Sequence, residues 1–224
     1  MKISRIEKKL PRKLFEILSG EIEDLRPAQA KAVKGGLLKG KNLLVCTPTA
    51  SGKTLIAEIA AVKTILEDGG KAVFVLPLKA LANEKFRNFR KRYGKTCRIA
   101  LTMGDMDSAD SYLADYDLII TTSEKLDSLL RHHSPWLKSV RTVIIDEIHL
   151  LNDPGRGPTL EILITMLRMI LIRAQIIGLS ATIGNPEVLA AWLDAELILD
   201  SWRPVPLHKG VYLNGEVTFE KEIT

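Results

Sequence analysis

The chain has 224 residues, 46% of them hydrophobic and 26% charged, the balance of an ordinary globular protein with room for one large α/β domain and barely for two. Its formal net charge of +5 permits a polyanionic partner without demanding one, and its two cysteines, Cys46 and Cys97, at no ligand spacing, exclude a disulfide framework or a zinc module. No apolar run reaches the ~18 residues of a membrane span, and the basic start MKISRIEKKLPRK lacks the apolar centre of a signal peptide, so a cytoplasmic protein without a membrane partner is expected.

In chain order, residues 1–24 read as an N-terminal extension carrying a helix. Then come a helix at 27–38, a strand at 42–46, a helix at 53–66, a strand at 72–76, a helix at 79–93 and strands at 98–102 and 117–121. A helix at 124–131, a strand at 142–146, a helix at 159–172, a strand at 175–179, a helix at 186–193 and a strand at 196–199 complete the series. Most of the strands are apolar throughout rather than alternating, as expected where helices cover both faces of a parallel sheet. Both cysteines fall in apparent strands and read as buried small hydrophobes. Gly69-Gly70 ends one helix, and Asn185-Pro186 gives another a cap and a proline at its first position. The expected fold class is α/β, a single doubly wound domain whose mostly parallel sheet of about seven strands is flanked by helices. The last stretch, SWRPVPLHKGVYLNGEVTFEKEIT, is proline-rich and reads as extended chain.

TPTASGKT, residues 47–54, lies between the apolar run NLLVC and the helical pattern LIAEIAAVKTIL. A glycine-and-hydroxyl loop in that setting suits a triphosphate. Its backbone N–H groups can surround phosphate oxygens, and the following helix adds its positive end. Gly52 permits close backbone approach, Lys53 reaches the β- and γ-phosphates, and Thr54 offers its hydroxyl to Mg²⁺. The strict pattern begins with glycine where this chain has Thr47. Thr47, Thr49, Ala50, Ser51, Gly52, Lys53 and Thr54 are the candidate nucleotide-binding residues.

VIIDEIH, residues 143–149, is an apolar strand ending in Asp146-Glu147. Adjacent carboxylates at the end of a buried strand are costly without a partner. In a doubly wound sheet the carboxyl ends of the strands share one edge, which brings Asp146 towards Thr54. Asp146 can then bind Mg²⁺ and Glu147 can orient and deprotonate water. The loop and the acids together point to a site hydrolysing ATP or GTP. No Asn-Lys-x-Asp string is present to read guanine, and a small-molecule kinase stays open at this level.

Five further strings sit at or near strand ends in order: LRPAQ at 25–29, PLKALANEK at 77–85, TTSEK at 121–125, DEIH at 146–149 and SAT at 180–182. With TPTASGKT they resemble the first motor domain of superfamily 2 DExH-box helicases, over nearly the whole chain. RGPTLE, GLSATIGNPE and DSWRPVPL look like the Ski-type branch, and within it the archaeal repair helicases that act at stalled forks and Holliday junctions. The resemblance implies a RecA-like domain at 25–203, with 204–224 starting a connection to a second motor domain. It also implies an ATP-dependent 3′ to 5′ helicase with ATP and Mg²⁺ as cofactors. Single-stranded or branched DNA would be its substrate, RNA being the alternative, and further domains of a longer protein would be its partners. A non-catalytic nucleic-acid or protein-binding module is the reading from another class. By matching position, Gln29 would read adenine, and Lys53, Asp146, Glu147 and His149 would form the catalytic set. Thr54 and Asp146 would hold the metal. Pro77, Leu78, Lys79 and Ala80, with Thr122 and Ser123, would hold nucleic-acid backbone. His149, Ser180, Ala181 and Thr182 would couple the two sites. An arginine from a second domain would complete hydrolysis, worth roughly 10³–10⁵ in rate in related hydrolases, so the chain alone is expected to bind Mg·ATP, hydrolyse it poorly and not unwind a duplex. Arg26 stands where the family often has an aromatic residue, Met103 of TMGD where a threonine is usual, and Pro158 where a small residue is usual.

Taken singly, several strings have plainer readings. LRPAQ is a helix start, and TTSEK a helix cap with Ser123 as the capping residue. Lys85, Arg87, Arg90, Lys91 and Arg92 read as a solvated helix face, His132 and His133 as exposed helix-end residues, and Trp136, Trp192 and Trp202 as core or packing residues.

Overall fold

The computed structural model describes residues 1–104, 110–208 and 210–219. Seven strands form one sheet: β1 (Leu43–Cys46), β2 (Lys71–Leu76), β3 (Ile99–Thr102), β4 (Leu118–Thr122), β5 (Val140–Ile145), β6 (Gln175–Ser180) and β7 (Glu196–Leu199), in the spatial order β3-β4-β2-β5-β6-β1-β7. Every pairing within it is parallel. Helices α1 (Arg12–Ser19), α2 (Pro27–Gly35), α3 (Lys53–Asp68), α4 (Lys79–Tyr93), α5 (Ser123–Arg131), α6 (Gly157–Ile170) and α7 (Pro186–Leu193) cover both faces. The unbroken apolar strand runs follow from this double cover. On β2, Ala72, Phe74 and Leu76 join the core beneath α1 to α4, whereas Val73 and Val75 join the core beneath α5 to α7.

Residues 1–24 belong to the first of these cores. A 3₁₀ segment at Ile3–Lys9 and helix α1 bury Ile3, Ile6, Leu10, Leu14 and Leu18 in the same cluster as α3. The helix expected at 27–38 stops earlier, because Gly36 adopts φ 108° as a left-handed cap and a 3₁₀ turn at Leu37–Lys39 follows. There the buried Gln175 Nε2 donates to the carbonyls of Leu37 at 3.0 Å and Lys41 at 2.7 Å. Cys46 ends β1, but Cys97 precedes β3 rather than lying in a strand; both are buried.

At 210–219 the chain forms a hairpin of β8 (Gly210–Leu213) and β9 (Glu216–Phe219). Asn214 and Gly215, at φ 50° and 91°, make its turn. Residues 209 and 220–224 of the terminal segment, and Asp105 of TMGD, lie outside the described residues. Among the described residues, no helix is long and apolar enough to cross a membrane.

Candidate functional site

The parallel sheet brings the carboxyl ends of β1, β2, β4, β5 and β6 to one edge. The loop after β1 is held tightly. Thr47 is fully buried, its hydroxyl 2.7 Å from that of Ser51 and its N–H donating to the Ser180 carbonyl at 3.2 Å. That last bond ties the loop to the end of β6. Ala50 (φ 64°) and Gly52 (φ 90°) then turn the chain through left-handed backbone into α3. That backbone strains any other residue, and a Cβ at Gly52 would come within 2.6 Å of Gln29 Nε2 and displace it. Thr49 and Ala50 are exposed at the loop's rim.

Gln29 is buried behind this loop. Its Oε1 accepts from the Arg26 N–H at 2.8 Å, and its Nε2 donates to the Gly52 carbonyl at 3.0 Å. In this structure Gln29 thus braces the loop. Arg26 braces it from outside, donating to the Ala50 carbonyl at 2.7 Å with its guanidinium 5.4 Å from the Trp202 ring. Trp202 is partly exposed, whereas Trp136 is buried.

The acids sit two strands away, with β6 between. Strand β5 ends at Ile145, one residue short of expectation. The Asp146 N–H donates to the Val75 carbonyl at 3.0 Å, and Glu147 turns into the left-handed region at φ 52°. Gly178 makes room beneath the turn, since a Cβ there would come 3.0 Å from Ile148 Cδ1. Lys53 Nζ lies 3.5 Å from Glu147 Oε1, although the two are 94 residues apart in sequence. Burial pushes the Asp146 carboxyl above its ordinary pKa, an effect that Lys85 opposes. His149 Nδ1 is 3.3 Å from Glu147 Oε2 without hydrogen-bond geometry.

Lys85 is the surprise of the site. Its Nζ donates to Thr54 Oγ1 at 3.3 Å and lies 3.9 Å from Asp146 Oδ2, with its side chain only 18% exposed. A cation therefore already occupies the point where a hydroxyl and a carboxylate converge. Hard oxygen donors of this kind suit Mg²⁺, which takes one or two protein oxygens and completes its shell with water and phosphate. Among the described residues, no group of three or more His, Cys, Asp or Glu is arranged to hold a metal unaided, and the Thr54–Asp146 pair fits a metal that arrives with its nucleotide.

Lys85 also corrects the reading of α4 as a solvated basic face. Arg87, Arg90 and Lys91 are exposed, but Lys85 and Arg92 turn inward. Arg92 pairs with Glu58 of α3 and, at 2.7 Å, with Glu21. The signal was in the spacing. Ala82, Phe89 and Tyr93 are the buried positions of α4, and Lys85 falls three residues after the first of these and four before the second, on the same stripe.

The remaining expected residues divide. Leu78, Lys79 and Ala80 are exposed at the start of α4, with Pro77 half-buried. Thr122 and Ser123 are buried, and the cap of α5 is Thr122, not Ser123: the Thr122 hydroxyl accepts from the Lys125 N–H at 3.4 Å. Ser123 already has helical backbone, so its side chain cannot serve as the cap. Ser180 is fully buried opposite Cys46, its hydroxyl without a hydrogen-bond partner among the described residues. Ala181 is half-buried and Thr182 exposed. His132 and His133 are exposed at the end of α5, as expected.

Comparison with known proteins gives a consistent result. The model of the DEAD/DEAH box helicase family matches residues 26–190. The ATP-dependent DNA helicase Hel308 of Pyrococcus abyssi is 57% identical over 209 residues, 93% of this chain and 29% of that protein. Its counterpart from Methanocella arvoryzae is 48% identical over 229 residues, 99% of this chain and 30% of that protein. The chain thus spans under a third of the length of these relatives. Among solved structures, the DUF1998 helicase MrfA bound to DNA superposes with a TM-score of 0.74 at 24% identity, over 87% of this chain and 30% of that one, a likeness of fold.

Proposed function

This chain belongs to the DEAD/DEAH box helicase family, and from that premise we propose that it is the ATP-binding first motor domain of an ATP-dependent DNA helicase. It hydrolyses Mg·ATP in the cytoplasm to drive 3′ to 5′ translocation on single-stranded or branched DNA in repair and recombination. Residues 25–203 form the motor domain proper, 1–24 an extension packed on it, and 204–224 lead towards a second motor domain. The observation that carries this reading is the pairing of Lys53 with Glu147 beside the Thr54–Asp146 seat, across three adjacent strand ends.

The chemistry then follows from positioning and charge. Bound with the nucleotide, Mg²⁺ would neutralise charge developing on the phosphate oxygens. Thr54 and Asp146 would hold it. Lys53 would leave Glu147 for the β- and γ-phosphates, freeing that carboxylate to take a proton from the attacking water. Gln29, already bonded to Gly52, would keep the loop in register and meet adenine with its spare hydrogen-bond capacity. Ser180, whose buried hydroxyl lies beside the Cys46 thiol, sits between loop and acids and would couple them. Exposed Leu78, Lys79 and Ala80 would contact nucleic-acid backbone; for the covered Thr122 and Ser123 the same role rests on sequence resemblance. An arginine from a second motor domain would raise turnover by roughly 10³–10⁵.

The test is ATP binding and turnover of this chain with Mg²⁺, alone and with single-stranded DNA or RNA, beside Lys53→Ala. Mg-dependent ATP binding that Lys53→Ala weakens at least about tenfold, the worth of one charge-assisted hydrogen bond, with turnover low in both proteins, is the expected result. ATP binding indifferent to Lys53→Ala would overturn the proposal. Stimulation by RNA and not DNA would move the substrate to RNA.

A further inference from the structure

The reading of Thr54 and Asp146 as metal ligands leaves Lys85 unexplained, and the inference below rests on that reading. Lys85 is not a stray surface charge. Its stem lies on the inward stripe of α4, its Nζ is 5.3 Å from the centre of the Phe74 ring, and it reaches both Thr54 Oγ1 and Asp146 Oδ2. Asp146 is itself largely covered, its side chain 11% exposed. A carboxylate so enclosed is costly without a nearby cation, and among the described residues Lys85 is the one cation in ion-pair contact with it.

Mg²⁺ binds oxygen at 2.0–2.1 Å and brings two charges. An ammonium 3.3 Å from one of these oxygens and 3.9 Å from the other cannot keep its place beside such an ion. We propose that Lys85 is a tethered rival for the divalent cation: its ammonium fills the Thr54–Asp146 seat in the metal-free protein and must withdraw before the metal bound to nucleotide can enter. The lysine has two consequences. It keeps the empty site neutral and folded, and it weakens the site's apparent hold on metal. A seat occupied by Lys85 nine-tenths of the time would weaken apparent metal affinity about tenfold, because only the open fraction binds.

The experiment measures Mn²⁺ binding by electron paramagnetic resonance in the presence of a non-hydrolysable ATP analogue. The proteins are the unaltered chain, Lys85→Met, Lys85→Arg and Asp146→Asn. Lys85→Met is expected to tighten Mn²⁺ about tenfold, Lys85→Arg to stay near the unaltered protein, and Asp146→Asn to lose the site. Melting in EDTA supplies the second readout. Lys85→Met should melt at lower temperature than the unaltered chain, and Mg²⁺ with the ATP analogue should remove the difference. Should the methionine variant fail to fold, Lys85→Gln, which retains a donor for Thr54 without charge, answers the same question. Unchanged or weakened Mn²⁺ affinity in Lys85→Met or Lys85→Gln overturns the proposal while leaving the metal site intact. Failure of the unaltered chain to bind Mn²⁺, or binding that Asp146→Asn does not alter, overturns the metal reading itself and the rivalry with it.

Discussion

Gly52 shows how much a single residue can decide. Its left-handed backbone favours glycine, and a Cβ there would displace Gln29 Nε2, 2.6 Å away, from the loop carbonyl that it holds. The two cysteines show the opposite case, side chains present for volume rather than chemistry. Burial pushes the Cys97 thiol up to about 12 and raises that of Cys46 as well. Thiolate is the reactive form, so neither thiol of the folded chain should react with a disulfide reagent at pH 8, and both should react on unfolding. The raised value also fixes a direction with pH. Between the ordinary 9.0 and about 12 the folded state holds a proton at Cys97 that the unfolded state has lost, so stability is undiminished below 9.0 and declines as pH climbs through that window. Burial of Cys46 and Cys97 was legible from their apolar surroundings. The inward turn of Lys85 was legible only if helix phase was given more weight than charge.

Between elements, α3 and β5 meet through a pair of hydroxyls. Thr64 Oγ1 and Thr142 Oγ1 are 2.7 Å apart and buried. Removing one hydroxyl leaves the other unsatisfied, whereas removing both leaves only apolar contact of similar shape. Thr64→Val and Thr142→Val should therefore each cost about 1–3 kcal/mol, and the double variant little more than nothing; chemical denaturation of the four proteins measures the cycle. Additive losses would show that the pair does not act as a unit. Boundaries of the elements were the weaker part of the sequence reading for local reasons. Gly36 ends α2 early, and Thr122 takes the cap of α5 because strand β4 delivers it there in extended backbone. Asn214-Gly215 carried a plain hairpin signal within a stretch read as merely extended.

Over the whole molecule, residues 1–24 are part of the structure and not an appendage. Ile3, Ile6, Leu10, Leu14 and Leu18 are each under a tenth exposed and sit in the core of α3. Burying five such side chains is worth on the order of 10 kcal/mol before conformational entropy is set against it, comparable to the entire stability of a domain. A chain beginning at residue 25 should melt at least about 10 °C lower or fail to fold, as circular dichroism would show. An unchanged melting temperature would mean that the extension packs without contributing. The global arrangement also explains the site, because strand order β5-β6-β1 leaves a single strand between the loop after β1 and the acids after β5.

The sequence by itself determined the α/β class, the parallel sheet, the glycine-and-hydroxyl loop between a strand and a helix, and the acid pair at a strand end. Each of these is written in local pattern: apolar runs of strand length, helical spacing, glycine and hydroxyls between them. Only the tertiary structure decided which groups face each other. That Gln29 and Arg26 brace the loop, that Lys53 lies against Glu147 and that Lys85 lies between Thr54 and Asp146 all depend on chain segments remote in sequence meeting at one edge of the sheet. Helix phase can say which side chains turn inward, but which partners they meet is set by strand order, and no local pattern encodes that.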